Sequence, residues 1–163
     1  MSAPIANLHV PHFDPIKINY NELACLAKSI FYEASGESLN GKAAVARVVL
    51  NRVNHGFAKS LCGVVYQTTI INKIDNETGE SIPVKVCQFS WACTSTTEPH
   101  KNNPVYIQSK KIAYDVLAFN AYSDVVPKST LFFHNTTVDP SWPYRKVAII
   151  GNHVFYSKEK RTK

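Results

Sequence analysis

Nowhere in this chain do eighteen apolar residues run together, so no membrane-crossing helix is expected. The first ten residues lack the basic start and apolar stretch of a secretory signal, and none is expected. There is no internal repeat and no low-complexity segment. Cys-x-x-Cys is absent: Cys25, Cys62, Cys87 and Cys93 are irregularly spaced, which argues against a structural zinc site. Without a signal, a reducing compartment is expected and disulfides are not. Cys25, inside an apolar helix, reads as a small buried hydrophobe. Cys87 and Cys93 flank a segment whose hairpin geometry could bring them together, but free thiols are the expectation. No helix-turn-helix, zinc-finger or RNA-binding fingerprint accompanies the net charge of +6, so no specific nucleic acid is expected as partner. An anionic membrane and an anionic cell wall are the other polyanions that such a charge suits.

What is present fits one enzyme-sized domain. The 163 residues are 45% hydrophobic and 18% charged, as in ordinary globular proteins. Residues 1–20 carry three prolines (Pro4, Pro11, Pro15) and read as an extended arm. Residues 21–157 read as a single catalytic domain and 158–163 as a basic tail, with four cations against Glu159. A monomer is expected.

In the run from Asn21 to Tyr32, Leu23, Leu26, Ala27, Ile30 and Phe31 recur at helical spacing. Asn21 is positioned to cap this helix, and Gly36 to end it in the left-handed conformation. Glu33 then falls in the last turn beside Phe31 and Tyr32. Carbonyl dipoles and apolar neighbours both disfavour a negative charge there. A carboxyl kept protonated near neutral pH is what a general acid for glycosidic bonds needs. The plainer reading is a surface glutamate in a frayed last turn.

Three further blocks change that balance. Phe31-Tyr-Glu-Ala-Ser-Gly-Glu37 is followed by Gly41 to Val53, a helix ending in Asn-Arg-Val. Next come Cys87-Gln-Phe-Ser-Trp91, and then Leu131-Phe-Phe-His-Asn135, Pro140-Ser-Trp142 and Ile150-Gly-Asn-His-Val-Phe-Tyr156. In this order, from about Leu23 to Tyr156, they resemble the spore-cortex-lytic (SleB-type) cell-wall hydrolase family. The resemblance implies a lysozyme-like fold and cleavage of peptidoglycan glycan strands, often by lytic transglycosylation. Bacterial peptidoglycan is then the partner, with no cofactor. With no signal peptide visible, a wall hydrolase would wait in a host or bacterial cytoplasm until release onto the wall, as a phage endolysin does, or be exported by another route.

Glu33 is the expected catalytic residue. Glu37 is a candidate second carboxylate, although Gly36 breaks the helix between them; its plainer role is to bind backbone amides, Arg47 or Arg52. On an alternating strand Gln88 and Ser90 would share one face and offer hydrogen bonds to sugar groups, while Phe89 and Trp91 face the core. Tyr32, Trp142 and Tyr144 are candidates to stack on sugar rings, and each is otherwise a core aromatic. His134 is a candidate substrate contact. His134, His153 and Asp139 could in principle hold zinc, but the spacing is loose, and hydrogen-bonded histidines near the cleft are expected instead, with no metal. A metal-dependent amidase and a non-catalytic wall-binding module stand as the alternatives.

The remaining pattern is α+β, a helical body with small β-hairpins. Asn40 is set to cap a second helix from Gly41 to Asn54, and Ser60–Tyr66 suggests a short third. Residues 72–83 read as a loop or hairpin tip, and 84–92 as a short strand pair. Asn103-Pro104 starts another helix to about Asn120. Residues 130–134, 147–150 and 153–156 read as strands, the last two joined by a Gly151-Asn152 turn.

Overall fold

A computed structural model describes residues 17–94 and 98–160. The helix at its centre is α2 (Leu39–Asn54). The sequence suggests one apolar face here, yet Ala43, Ala44, Val45, Ala46, Val48 and Val49 are all fully buried. A helix apolar on every side belongs inside. Around it stand α1 (Tyr20–Ala34), α3 (Leu61–Val65), α4 (Pro104–Phe119) and strands β3 (Thr130–Asn135) and β4 (Tyr144–Ile150). Leu26, Ala27, Ile30, Val49, Val64, Ile112, Val116 and Phe89 make the main core. A smaller core, Ala44, Val48, Val126 and Phe155, seals α2 against the sheet.

The polar side chains of α2 are buried because each has a specific partner. Lys42 Nζ donates to Gln108 Oε1 at 2.6 Å, and Arg47 donates to Asn120 Oδ1 at 2.7 Å and to the Ala121 carbonyl. Asn51 Nδ2 donates to the Thr130 and Pro127 carbonyls at 3.0 and 3.3 Å. Arg52 Nε donates to the Leu131 carbonyl at 2.7 Å. The Asn-Arg pair that closes this helix therefore pins the start of β3.

The caps differ from the sequence reading. Asn19, not Asn21, opens α1, its Oδ1 accepting from the Asn21 and Glu22 amides. Ser38, not Asn40, opens α2 by accepting from Gly41 N at 3.2 Å. Gly36 does not take the left-handed conformation. Ser35 stays right-handed, and the turn is closed by the Glu37 amide donating to the Ala34 carbonyl at 3.0 Å. Asn103 caps α4 as expected, donated to by the Val105 and Tyr106 amides.

Strands β1 (Thr68–Ile74) and β2 (Ser81–Cys87) form an antiparallel hairpin, so the expected loop at 72–83 is strand at both ends. Its tip is held by Asp75 Oδ1, which accepts from the Glu77 and Thr78 amides. After Cys87 the chain leaves the strand. Residues Ser90–Cys93 form a 3-10 helix, so the strand alternation expected for Gln88 to Trp91 does not hold. The second sheet has the order β3-β5-β4, with β5 at His153–Lys160. Strand β5 runs into the expected basic tail: Arg145 and Glu159 form an exposed ion pair at 3.4 Å. The arm to residue 16 and tail residues 161–163 lie outside the described residues.

The cysteines overturn the expectation of free thiols. Cys25 is bonded to Cys62 and Cys87 to Cys93, with Cα–Cα separations of 5.2 and 5.7 Å. All four are paired. The first bond ties α1 to α3, beside the Glu22 carboxylate that accepts from the Leu61 amide. The second closes a short loop over Gln88 to Ala92. Irregular spacing concealed both, since pairing depends on where helices and hairpin meet in space.

Candidate active site

Glu33 lies half-buried in the last turn of α1, at a cavity of about 230 Å³. The other lining residues are Arg52 from α2, Cys87, Gln88, Phe89 and Ser90 from the disulfide-closed loop, and Phe133 from β3. Four separate stretches of chain thus meet at one carboxyl. The segment from 88 to 91 is aimed by its first and last residues. The Gln88 amide donates to the Gln67 carbonyl at 2.8 Å, and the Cys87–Cys93 bond draws the far end back. Phe89 is 3% exposed and anchors the loop, leaving Gln88 and Ser90 exposed at the cavity.

Burial raises the Glu33 pKa above the ordinary carboxylate range. Two weaker influences oppose it, the neighbouring indole N–H of Trp91 and the positive charge of Arg52. Trp91 is therefore more than a core residue. It stacks on Tyr32 with ring centroids 4.7 Å apart, and Tyr66 meets its edge at 6.0 Å. Arg52 is 3% exposed, and burial lowers its pKa to about 10, so it remains a cation at neutral pH. The sequence reading placed Trp91 in the core and named Arg52 only as one of several partners for Glu37, beside backbone amides and Arg47. The clue to Arg52 was available: it continues the apolar row Val45, Val48, Val49 of α2, where a charged residue is uncommon.

The expected site residues divide into three groups. Gln88 and Ser90 line the cavity with Glu33, and Tyr32 is linked to it through Trp91. Trp142, Tyr144 and His134 gather on the sheet instead. Phe132 stacks on Tyr144 at 4.5 Å, and Trp142 meets His134 at 5.3 Å and Tyr156 at 5.4 Å. His134 Nε2 shares a hydrogen bond with the Tyr156 hydroxyl at 2.8 Å. These three do not line the Glu33 cavity; His134 borders a separate hollow of about 280 Å³ with Asp139, Lys146 and Tyr156.

Glu37 faces elsewhere too. Its Oε2 accepts from the Asn152 amide at 3.1 Å, in the turn between β4 and β5. Gly151 has φ +55°, and a Cβ there would sit 1.9 Å from Glu37 Oε2, so only glycine allows the approach. His153 opposes Asn135 across the sheet while His134 opposes Val154. The two histidines thus point to opposite faces. Among the described residues no group of three His, Cys, Asp or Glu side chains is placed to hold a metal ion, and no helix is long and apolar enough to cross a membrane.

The architecture is that of a lysozyme-like α+β domain, with a carboxyl on a helix end facing a cleft. Residues 36–156 match the cell wall hydrolase family, and the chain belongs to it. Glu33 lies just ahead of the matched span. The chain is 24% identical over 140 residues to the spore cortex-lytic enzyme of Bacillus subtilis (strain 168); the match covers 83% of this chain and 37% of that protein. The chain thus spans little over a third of that relative's length. Its fold is similar to the catalytic domain of the Bacillus cereus SleB protein, with a TM-score of 0.58 at 20% identity, covering 88% of this chain and 94% of that one.

Proposed function

We propose that this domain cleaves the glycan strands of bacterial peptidoglycan, with Glu33 as general acid and then general base. The observation that carries the reading is a carboxyl whose pKa is raised by burial, at a cavity whose exposed rim is Gln88 and Ser90. In the first step the Glu33 proton passes to the glycosidic oxygen as the C1–O bond breaks. Gln88 and Ser90 offer hydrogen bonds to sugar hydroxyl and acetamido groups. Glu33 is the one carboxylate among the described residues that line the cavity, and Glu37 is engaged at the Asn152 amide. This favours assistance by the substrate's own acetamido oxygen, which bonds to C1. The sugar's 6-hydroxyl then attacks C1, the bond from C1 to the acetamido oxygen breaks, the hydroxyl proton returns to Glu33, and an anhydro ring closes. That is lytic transglycosylation; attack by water in the same place gives a muramidase.

The four paired cysteines bear on where the enzyme works. Such bonds persist in oxidising compartments. The folded enzyme therefore belongs outside the reducing cytoplasm, whether the chain is held there until release, as an endolysin is, or is exported. Mass spectrometry of muropeptides released from purified peptidoglycan tests the proposal. A product lighter by one water than the hydrolytic muropeptide marks the transglycosylase, and an unaltered reducing end marks a muramidase or glucosaminidase. Release of stem peptides with intact glycan, or no release at all, refutes glycan cleavage.

A further inference from the structure

Arg52 is an expensive residue to bury. Taking a guanidinium out of water costs several kcal/mol unless it is paired, and this one is 3% exposed. Among the described residues no carboxylate stands within ion-pair distance of it. Its Nε is used by the Leu131 carbonyl, and its Nη1 is buried without a hydrogen-bond partner. Three aromatic rings surround the charge, with centroids at 5.5 Å for Phe89, 5.9 Å for Phe132 and 6.0 Å for Phe57. These contacts offset part of the cost. A neutral side chain could hold the Leu131 carbonyl more cheaply, so the charge itself needs a reason. Arg52 lines the same cavity as Glu33.

We infer that Arg52 is a positioning residue for the glycosidic step, holding a fixed positive charge at the cavity it shares with Glu33 so that the half-buried carboxyl can give up its proton. The inference rests on the reading of Glu33 as the acid. The proton donor must end the first step as a carboxylate. Apolar burial alone would make that carboxylate costly and the acid weak. A contact ion pair would err the other way and keep Glu33 ionised before substrate arrives. A cation held near by its own anchors, but not paired, lies between these limits. Arg52 is the charged group acting on Glu33 among the described residues; Trp91, Tyr32 and Phe133 bring none. The Glu33 interaction likewise opposes the fall that burial imposes on the Arg52 pKa. Arg52 shares the cavity with Glu33, and the role inferred for it runs through the charge of that carboxyl.

The test is the pH dependence of muropeptide release by the full chain carrying Arg52→Met or Arg52→Lys. Activity falls on the alkaline side as Glu33 loses its proton. Without the positive charge Glu33 holds the proton more tightly, so in Arg52→Met the alkaline limb moves to higher pH. The maximal rate falls about tenfold or more, because the acid is weaker, while the substrate concentration for half-saturation changes little. Arg52→Lys keeps a charge and leaves the limb near its wild-type position. An unmoved limb in folded Arg52→Met overturns the inference and leaves Arg52 as a strut between α2 and β3. If Arg52→Met does not fold, Arg52→Gln decides: its amide can still donate to the Leu131 carbonyl but carries no charge, so a limb moved to higher pH supports the inference and an unmoved one overturns it. Glu33→Gln separates the two readings. If that variant stays active, the assignment of Glu33 fails; if it is inactive while the Arg52→Met limb is unmoved, only the role of Arg52 fails.

Discussion

Replacing Glu33 by glutamine should inactivate the enzyme and at the same time stabilise it. The amide copies the shape and neutrality of the protonated carboxyl but has no acidic proton. Removing a general acid costs roughly 10²–10⁴ in rate, so at least a hundredfold loss of muropeptide release is expected. The stability argument runs through linkage. The Glu33 pKa is raised in the fold, above the ordinary value of 4.5, and burial is the main cause. The native state therefore binds this proton more tightly than the unfolded chain does. Its contribution is fully present below pH 4.5 and is lost as pH rises through the folded pKa. At neutral pH the unfolded wild type has lost this proton, so folding must either take it back or bury a charge, and the Gln variant does neither. Each unit of upward displacement is worth about 1.4 kcal/mol, and 1 kcal/mol moves the melting temperature of a domain this size by about 2–4 °C.

Thermal melts of wild type and Glu33→Gln across pH 4 to 8 are the assay. The Gln variant should melt higher at pH 7, and the advantage should shrink toward zero in acid. The opposite pattern, a Gln variant less stable at pH 7, would mean that Arg52 and Trp91 outweigh burial and hold Glu33 ionised. Glu33 would then be one half of a structural pair, and the acid-catalysis argument would collapse even if activity were lost.

Three other outcomes are expected. Cleavage of purified peptidoglycan should survive EDTA, since His134 and His153 point to opposite faces of the sheet; loss on chelation with recovery on added zinc would restore the metal-dependent amidase. The two disulfides should separate in effect. Their sequence separations of 37 and 6 residues predict losses of about 4 and about 2 kcal/mol on removal, so Cys25→Ser/Cys62→Ser should lower the melting temperature more, while Cys87→Ser/Cys93→Ser should lower activity more because its loop carries Gln88, Ser90 and Trp91. Equal activity loss from both pairs would deny the second bond its role at the site. Gly151→Ala should cost about 1–3 kcal/mol by denaturant melt, from a left-handed backbone and a Cβ overlapping Glu37 Oε2; an unchanged midpoint would mean that the Glu37 contact is dispensable.

Most of the fold was legible because its elements carry local signals. Asn103-Pro104 marks the start of α4, Gly151-Asn152 the turn before β5, and the apolar spacing of Leu23 to Ile30 the length of α1. The misplacements have one common form. Several residues within reach of a helix end can cap it, and sequence does not rank them: Asn19 displaced Asn21, and Ser38 displaced Asn40. The exposed hairpin β1–β2 was half hidden because it buries little. Ile70, Ile74 and Ile82 stand in solvent, so the inside–outside alternation that reveals a strand is blurred there.

The site was legible only in part, for a different reason. Glu33 sits on a helix with a clear pattern, and its surroundings could be inferred from neighbours in sequence. Its partners could not. Arg52 is brought in by α2, Trp91 by a loop folded back through a disulfide, and Phe133 by a strand a hundred residues on. Strand alternation put Gln88 and Ser90 together and Trp91 opposite them. The 3-10 turn keeps Gln88 and Ser90 at the cavity but also turns the Trp91 indole toward the carboxyl. One irregular segment thereby supplies both the polar groups at the cavity and an indole beside the carboxyl. A regular strand could not do so, since it sends successive side chains to opposite sides. The disulfide that holds this irregular segment in place is thus part of how the site is built, and the chemistry of Glu33 depends on cysteines that do not touch it.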